Sequence, residues 1–384
     1  MSGPQWRIAF HDRMAKIAPA AWDALRPDDN PFLSHAFLAG LEAHGCIRTE
    51  LGWQPHHLAL YEGNRLVGAA PVYLKGNSHG EYVFDWNWAE AYERHGLDYY
   101  PKLLCAVPYS PVSGPRLLGD GVATSLLRAL RDECIRLDLS SAHLNFIAPG
   151  DDAPDDDDIW LERNDWQFHW HDAGYRDFDG FLAALRPKKR KNLRQERNRV
   201  AAAGIEFSVL HGDELDDADW RFVYACYART FDEKGNYPAL TEAFLRHLGA
   251  TLPRQVVVML ARQRGERVAM AFCLRSATTL YGRYWGCMGD IPGLHFETCY
   301  YQGIDYCLRE GLSRFEPGAQ GQHKIARGFL PRRTRSFHYV ARPEFRAAIR
   351  RSLQAERIDV ERHGAWLCDQ SPYATPLAGE PPPS

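Results

Sequence analysis

The chain has 384 residues, 45% of them hydrophobic, and a formal net charge of -3 at pH 7. Such a chain is long and apolar enough for two domains, and its charge argues against a nucleic-acid coat or a polybasic membrane anchor. No apolar run approaches the ~20 residues that span a bilayer. The first residues lack the apolar core of a secretory signal. We therefore expect a soluble cytoplasmic protein without a transmembrane segment.

The cysteines are odd in number and scattered along the chain, with no C-x-x-C pair among them. This usage is typical of buried thiols in a reducing compartment, and it predicts neither a disulfide framework nor a metal site. The nine positions are 46, 105, 134, 226, 273, 287, 299, 307 and 368.

In the first half of the chain, apolar periodicity and Gly or Pro breaks predict short helices and strands. The helices are predicted at 18–26, 34–45, 122–137 and 159–164, and the strands at 57–62, 65–75, 82–88, 103–107 and 143–147. Six aspartates lie within residues 151–158. Because adjacent aspartates do not supply the ligand spacing of a folded metal loop, we interpret this run as a solvated loop.

The second half begins with another predicted strand and a basic helix. Its strands are predicted at 166–170, 205–210, 256–262, 267–275, 280–286 and 313–316. Its helices are predicted at 178–185, 186–203, 220–231, 241–248, 294–312 and 345–362, followed by a disordered tail.

The hairpin at 256–275 repeats the one at 57–75 in length and apolar placement. The elements that follow each hairpin also occur in a similar order. We therefore predict an internal duplication: an α/β (α+β) chain of two tandem units, each with a mixed, mostly antiparallel sheet flanked by helices. The predicted boundaries are an N-terminal domain at 1–165, a C-terminal domain at 166–345, and a helix with a tail at 346–384.

The stretch Ser313–Phe329, SRFEPGAQGQHKIARGF, is the strongest candidate for a site. A strand that ends in glycines lets a ligand approach the backbone closely. Glu316 and His323 supply a base and a proton shuttle, and Glu297 in the first turn of the preceding helix is a third acid/base candidate. The alternative is a tight connection that carries surface charges. The other candidates here are Gly318, Gln320, Gly321, Lys324 and Arg327.

The basic block at 186–199 contains eight Lys or Arg residues in fourteen. On a helix, Arg190, Arg194 and Arg197 share one face, so they either bind phosphates or form a solvated face. Other polar and aromatic positions could line a substrate pocket, although core packing or a plain turn explains them about as well. These positions are Trp86, Asn87, Asp232, Lys234, Arg283 and Trp285.

No G-x-S-x-G elbow, Walker loop, H-E-x-x-H motif or G-x-G-x-x-G fingerprint is present in the sequence. However, the strings KKRKNLRQERNR, EPGAQGQHKIARGF and DWNWAEAYERHGLDYYPKLLCAVPYSPVSGPRLL resemble the FemAB-like family of the GNAT acyltransferase superfamily, over most of residues 20–340. The resemblance implies two tandem GNAT-like domains and transfer of an acyl or aminoacyl group to an amine, as in peptidoglycan biosynthesis.

The donor implied by the resemblance stays open between an acyl-CoA and an aminoacyl-tRNA. Acetyl-CoA-dependent GNAT enzymes carry a Q/R-x-x-G-x-G/A turn between a strand and a helix, and Gly286–Gly293 (GCMGDIPG) lacks this pattern. The chain also lacks the coiled-coil arm that helps Fem-type enzymes to engage tRNA. The alternative function is a non-catalytic module on the same fold that binds cell-wall or small anionic ligands. Plain RNA binding through the basic helix is a third possibility.

For an enzyme, we expect Glu316 or His323 to deprotonate the amine and the backbone of Gly318–Gly321 to stabilise the oxyanion. Lys324, Arg327 and the basic helix would hold donor phosphates. Arg283, Trp285 and Asp232 would shape the acceptor pocket.

Overall fold

The computed structural model describes residues 6–150, 154, 159–318 and 321–375. The chain folds into two compact units. Unit 1 consists of residues Met1–Asp165 and Arg333–Glu361, and unit 2 consists of Trp166–Arg332 and Arg362–Ser384. Of the aspartate run at 151–158, only Pro154 is among the described residues. The C-terminal tail predicted to be disordered lies outside the described residues beyond residue 375.

Unit 1 contains two sheets, one with the order β1-β3-β4 and one with the order β2-β5-β6-β7-β14. β6 and β7 are parallel, and the pairs β1-β3, β3-β4, β2-β5, β5-β6 and β7-β14 are antiparallel. Its elements before the first crossing between units are β1 (Arg7–His11), α1 (Pro19–Asp23), α2 (His35–Ala43), β2 (Trp53–Pro55), β3 (His57–Glu62), β4 (Arg65–Ala70), β5 (Val72–Lys75), α3 (Trp86–Arg94), β6 (Lys102–Cys105), α4 (Ala123–Arg136) and β7 (Ser141–Ile147).

Unit 2 contains one sheet with the order β8-β13-β12-β11-β10-β9, in which β12 and β13 are the parallel pair. The elements from the middle of the chain onward are β8 (Trp160–His171), α5 (Phe178–Ala184), α6 (Pro187–Ala202), β9 (Ile205–His211), α7 (Asp217–Asp232), α8 (Glu242–Thr251), β10 (Val256–Gln263), β11 (Glu266–Arg275), β12 (Thr279–Cys287), α9 (Leu294–Phe296), α10 (Gln302–Glu310), β13 (Arg314–Glu316), β14 (Leu330–Val340) and α11 (Pro343–Asp369). β8 begins and β14 ends in unit 1.

The predicted α/β class and the tandem arrangement of two units are confirmed. Each unit has a parallel pair of strands joined through a helical segment, β6-α4-β7 in unit 1 and β12-α9-α10-β13 in unit 2. The last strand of each sheet comes from elsewhere in the chain. β14 pairs with β7 in unit 1, and β8 pairs with β13 in unit 2.

Four predicted elements differ from the structure. The single strand predicted at 65–75 is two strands, β4 and β5, which lie in different sheets. Residues 82–88 do not form a strand, because α3 begins at Trp86. The helix predicted at 159–164 is absent, because β8 begins at Trp160 and buries Trp160 and Leu161. The long helix predicted at 294–312 is interrupted by a π-helical turn at Glu297–Tyr301. β1, β2, β14 and α3 were not predicted.

The cores follow the predicted apolar faces. In unit 1, α4 buries Leu126 and Leu130 against strand residues that include Leu103 and Leu144. In unit 2, the basic helix α6 buries only Leu193 and Val200. All nine cysteines are free thiols. None of the described helices is both long and apolar enough to cross a membrane, and the described His, Cys, Asp and Glu residues form no metal-binding group of three or more.

Candidate functional site

The candidate site in unit 2 begins where two parallel strands stop pairing. β12 and β13 pair at three positions, and the last of these joins Tyr281 to Glu316. β13 ends there, whereas β12 continues to Cys287. The chain then turns so close to β12 that a Cβ on Gly282 would lie 3.2 Å from the Cα of Pro317. The gap that opens between the two strands beyond Tyr281 gives a ligand access to the main chain at the turn.

Glu316 is a buried carboxyl group with one unused oxygen. Its Oε1 lies 3.2 Å from the Nε of Arg314, whereas its Oε2 has no hydrogen-bond partner among the described residues. Burial raises the pKa of Glu316 to about 7, although Arg314 and Arg283 act in the opposite direction. A carboxyl group whose pKa lies near neutrality is suited to accept a proton from an amine at physiological pH.

Lys324 lies beside the turn that follows β13. It belongs to a 3₁₀ helix, Gln322–Arg327, and its Nζ donates a hydrogen bond of 2.7 Å to the carbonyl of Gly318. Gly318 has a φ of +92°, which favours glycine, so the turn depends on both residues. Burial lowers the pKa of Lys324 to about 7, Cys299 raises it and Arg283 lowers it further. The carbonyl of Gly318 therefore holds the Lys324 amine, and a pKa of about 7 lets this amine gain or lose a proton near neutral pH.

Gly321 also has a positive φ, and a Cβ there would lie 2.5 Å from the ring of His323. The other predicted member of this turn, Gln320, lies outside the described residues.

His323 faces a group of aromatic side chains. Its Nε2 lies 2.9 Å from the Oη of Tyr300, and its ring centroid lies 6.4 Å from that of His295. Burial, then Arg327 and Lys324, lower the pKa of His323. Burial, together with the nearby His323, Arg327, Lys324 and Lys234, lowers the pKa of His295 to about 4. Both imidazoles are therefore neutral at pH 7, where one of them can accept a proton.

Arg327 is buried and already engaged by other side chains. It donates a hydrogen bond of 2.8 Å to Glu196 and one of 2.9 Å to the carbonyl of His323. Its guanidinium carbon lies 3.4 Å from the centroid of the Phe296 ring. Glu196 also accepts a hydrogen bond from Tyr301. Arg327 thus ties α6 to the 3₁₀ helix, and a donor phosphate would have to replace Glu196 to reach it.

Glu297 lies in the π-helical turn, and its partners differ from those of Glu316. It pairs with Arg197 at 3.1 Å and accepts a hydrogen bond of 2.8 Å from Gln302. Arg197 in turn lies over the ring of Phe178. These residues line a groove of 680 Å³, which Arg194 also lines. Both oxygens of Glu297 are therefore occupied, and the groove combines acidic and basic groups. π-Helical turns are frequent at functional sites.

The other predicted binding residues of unit 2 differ in exposure. Arg194 is exposed and lies 3.5 Å from Asp179, and Arg190 donates to the carbonyl of Leu185. Arg283 and Trp285 lie half-buried on β12, and the Trp285 ring is 5.2 Å from that of His295. The remaining two residues, Asp232 and Lys234, are exposed at the end of α7. Lys234 is near enough to contribute to the lowered pKa of His295.

Trp86 and Asn87 belong to unit 1 and start α3, rather than lying on the predicted strand. Trp86 is 49% exposed and stacks on Phe84, and Asn87 is also exposed. The neighbouring Trp88 faces inward and packs on the ring of His338.

Sequence reasoning missed four residues that position the site: Glu196, His295, Phe296 and Tyr300. Glu196 was hidden in the basic block. A weak signal existed, because a lone carboxylate among eight cations and a run of aromatics beside His295 are both unusual on a solvated face.

The contacts of the unit 2 residues form two groups. The first contains Lys324, Gly318, His323 and Arg327 with the rings of Phe296 and Tyr300, and Glu316 lies two residues before Gly318 in the chain. The second contains Glu297, Arg194 and Arg197 at the groove. Glu196 and Arg197 are adjacent on α6 and link the two groups.

Solved structures with similar folds include the C-terminal domain (DUF2156) of a protein described as a lysylphosphatidylglycerol synthetase, from Agrobacterium fabrum. It has a TM-score of 0.51 and 13% identity, and the match covers 88% of this chain and 95% of that one. FemX matches with a TM-score of 0.50 and 10% identity over 86% of this chain and 98% of that one. These likenesses concern the fold. No curated protein matches the sequence. The FemAB-like profile, described as peptidoglycan biosynthesis/recognition, matches residues 13–375, and the chain therefore belongs to this family.

Proposed function

We propose that the protein is an acyltransferase that moves an acyl or aminoacyl group from a CoA-type or tRNA-type donor to an amine. The observation that carries this proposal is the buried Glu316, whose Oε2 has no partner among the described residues and whose pKa is raised to about 7. Family membership and the fold of FemX support a transferase of this class. The proposal includes a cytoplasmic location, which the nine free thiols support.

In the proposed reaction, Glu316 takes a proton from the ammonium or amine of the acceptor, and the freed nitrogen attacks the donor carbonyl. The new C–N bond forms as the bond from the carbonyl carbon to the donor sulfur or oxygen breaks. Lys324, whose pKa of about 7 allows it to carry a proton, returns one to the leaving group. Main-chain groups at Gly318–Gly321, beside the gap between β12 and β13, stabilise the oxyanion. His323 is a second candidate base, and Glu297 is a third.

Binding roles follow from exposure. Arg190, Arg194 and Arg197 on α6 would contact donor phosphates, with Lys324 and Arg327 nearer the reacting carbonyl. Arg283, Trp285, Asp232, Lys234 and Gln320 would contact the acceptor. Trp86 and Asn87 are kept as substrate-binding candidates on the exposed start of α3.

The test begins with a thermal-shift panel of acyl-CoAs, aminoacyl-tRNA and muropeptides, followed by a transfer assay with each stabilising donor. Glu316→Gln keeps the shape of the side chain and removes the base, so the transfer rate should fall by about 10²–10⁴-fold. Glu310→Gln is the matched control, because Glu310 lies at the exposed end of α10 and should not affect the rate. Full activity in both Glu316→Gln and His323→Ala would contradict the proposal. Stabilisation by muropeptide alone, without transfer, would favour the binding module instead.

A further inference from the structure

The face of the unit 2 sheet that carries Glu316 also carries an arginine to which the proposed reaction gives no role in binding. Arg314 lies two residues before Glu316 on β13, so both side chains project from the same face of the strand. Phe315 between them points to the opposite face and is buried in the core of unit 2. On the neighbouring strand β8, His171 pairs directly with Arg314. The proposed base and the arginine are therefore neighbours on one polar face of the sheet.

The guanidinium of Arg314 has donors that the described part of the chain leaves unused. Its Nε donates a hydrogen bond of 3.1 Å to the Oγ1 of Thr279 and lies 3.2 Å from the Oε1 of Glu316. Its two terminal nitrogens donate no hydrogen bond to a described residue, and they are not buried. The side chain as a whole is 38% exposed, so solvent reaches it. Two terminal N–H groups in one plane match the two oxygens of a carboxylate.

Glu316 has an unused group of the opposite kind. Its Oε2 is buried without a hydrogen-bond partner among the described residues, whereas its Oε1 faces the Nε of Arg314. A carboxylate oxygen accepts hydrogen bonds from an ammonium or an amine. The pair therefore offers an unused acceptor beside unused donors. A ligand that satisfies both has to bring a donor for Glu316 and an acceptor for Arg314.

The short distance between the two side chains limits the ligand further. Because Arg314 and Glu316 are in direct contact, a molecule that bonds to both needs its cationic and anionic groups close together. An α-amino acid meets this requirement, since a single carbon separates its ammonium from its carboxylate. A simple alkylamine has no acceptor for Arg314, and a simple carboxylate has no donor for Glu316.

The charges around Arg314 also favour an anionic group at this position. Arg332 donates a hydrogen bond of 3.3 Å to the Nε2 of His171. Burial, then Arg332 and Arg314, lower the pKa of His171 to about 4, so this ring is neutral at pH 7. Burial raises the pKa of Glu316 to about 7, so this carboxyl group is partly protonated near neutral pH. The guanidinium of Arg314 is then left without a full counterion, which the carboxylate of a ligand would supply.

We propose that Arg314 binds the carboxylate of the acceptor, and that the acceptor is a small zwitterion of the α-amino acid type. The terminal nitrogens of Arg314 hold the carboxylate, while the ammonium lies against the Oε2 of Glu316. One ammonium proton passes to Glu316, and a second reaches the leaving thiol or hydroxyl of the donor through Lys324. The C–N bond forms as the C–S or C–O bond of the donor breaks, so the product is an N-acylated amino acid. This inference rests on the proposed function, whose acceptor it specifies.

The first experiment measures binding to the full-length protein by calorimetry and needs no donor. Its probes are L-alanine, ethylamine, which lacks the carboxylate, and propionate, which lacks the amine. L-Alanine should bind at least about tenfold more tightly than either, and Arg314→Gln should weaken its binding by about 10–100-fold. Arg309→Gln is the matched control, because Arg309 is an exposed arginine of α10 that pairs with Asp305. Absence of L-alanine binding, equal binding of ethylamine, or an unchanged affinity in Arg314→Gln overturns the inference.

The second experiment measures transfer with the donor that the thermal-shift panel selects. Its readout is the kcat/KM for L-alanine divided by that for ethylamine, because an altered basicity of Glu316 affects both acceptors and cancels in the ratio. The ratio should be about 10–100 in the wild type and in Arg309→Gln, and it should approach 1 in Arg314→Gln. Arg314→Lys should lie between, since it keeps the charge without the planar pair of donors.

The two experiments separate this inference from the proposed function. A wild-type ratio near 1, or a high ratio that survives Arg314→Gln, overturns the inference and leaves the transferase standing. Binding of L-alanine that depends on Arg314, with no transfer to any amine, would contradict the proposed function and support an amino-acid site at Arg314.

Discussion

The two units use the same strand arrangement but treat buried charge differently. In unit 1, the amine of Lys102 lies between the carboxylates of Glu81 and Asp85. In unit 2, the amine of Lys324 bonds to the carbonyl of Gly318, and the carboxylate of Glu316 keeps one oxygen unpaired. Glu81 and Glu316 each keep one oxygen without a hydrogen-bond partner among the described residues, so the contrast lies in the neighbouring cation. Glu81 has a buried lysine amine at 2.6 Å, whereas Glu316 has the half-buried Arg314 at 3.2 Å and a pKa raised to about 7. We therefore propose proton-transfer chemistry in unit 2.

The largest expected effect concerns the two lysines. Lys102→Met leaves Glu81 and Asp85 buried without their cation, which should lower the free energy of unfolding by about 3–5 kcal/mol. Lys324→Met is the matched variant, and it should cost about 1 kcal/mol, because it removes one hydrogen bond to a backbone carbonyl. Denaturant unfolding measures both. Equal losses would show that the two amines are held in the same way.

The next effect is the pH dependence of stability. The pKa of Glu316 is about 7 in the folded chain and 4.5 ordinarily, so between these values the folded state holds a proton that the unfolded state has released. The free energy of unfolding should therefore fall as pH rises through this window, by up to about 1.4 kcal/mol per pH unit. Glu316→Gln should remove this contribution, so the free energy of unfolding should fall less steeply with pH in the variant than in the wild type. An unchanged slope would mean that the carboxyl is not protonated at pH 6.

The smallest expected effect concerns the aromatic rings over which two arginines of unit 2 lie. Arg327 lies over the Phe296 ring, so Phe296→Leu should cost about 0.5–1 kcal/mol of cation–π energy beyond the loss of apolar area. Phe178→Leu is the matched variant for Arg197, which lies farther from its ring, at 4.2 Å. Thermal unfolding compares the two. A larger loss in Phe178→Leu would contradict the ranking by distance.

Much of the fold could be predicted from the sequence. Both hairpins, the basic helix, the strand before Gly318 and the tandem architecture were predicted, because alternating apolar residues and Gly or Pro breaks are local signals. The predicted strand at 82–88 failed for a physical reason. Its aromatics suit a strand, yet Trp88 and Tyr92 point to one side of a helix, where they pack on His338 and Tyr99.

The sequence also placed Glu316, His323, Lys324 and Gly318 in one stretch, which is why the first group of site residues was found. It could not supply Glu196, Phe296 or Tyr300, because these residues reach the 3₁₀ helix only through packing. Nor could it foresee that both oxygens of Glu297 are occupied by Arg197 and Gln302.

By itself, the sequence determined the repeated α/β pattern and the polar stretch after β13, since both depend on the order of neighbouring residues. The tertiary structure alone decided which strand completes each sheet and which charges are neutralised. β14 and β8 join β7 and β13 from distant parts of the chain. Whether a carboxylate is a structural partner or a free base depends on what lies within about 3 Å of its oxygens. That distance is set by packing, and no local pattern of residues encodes it.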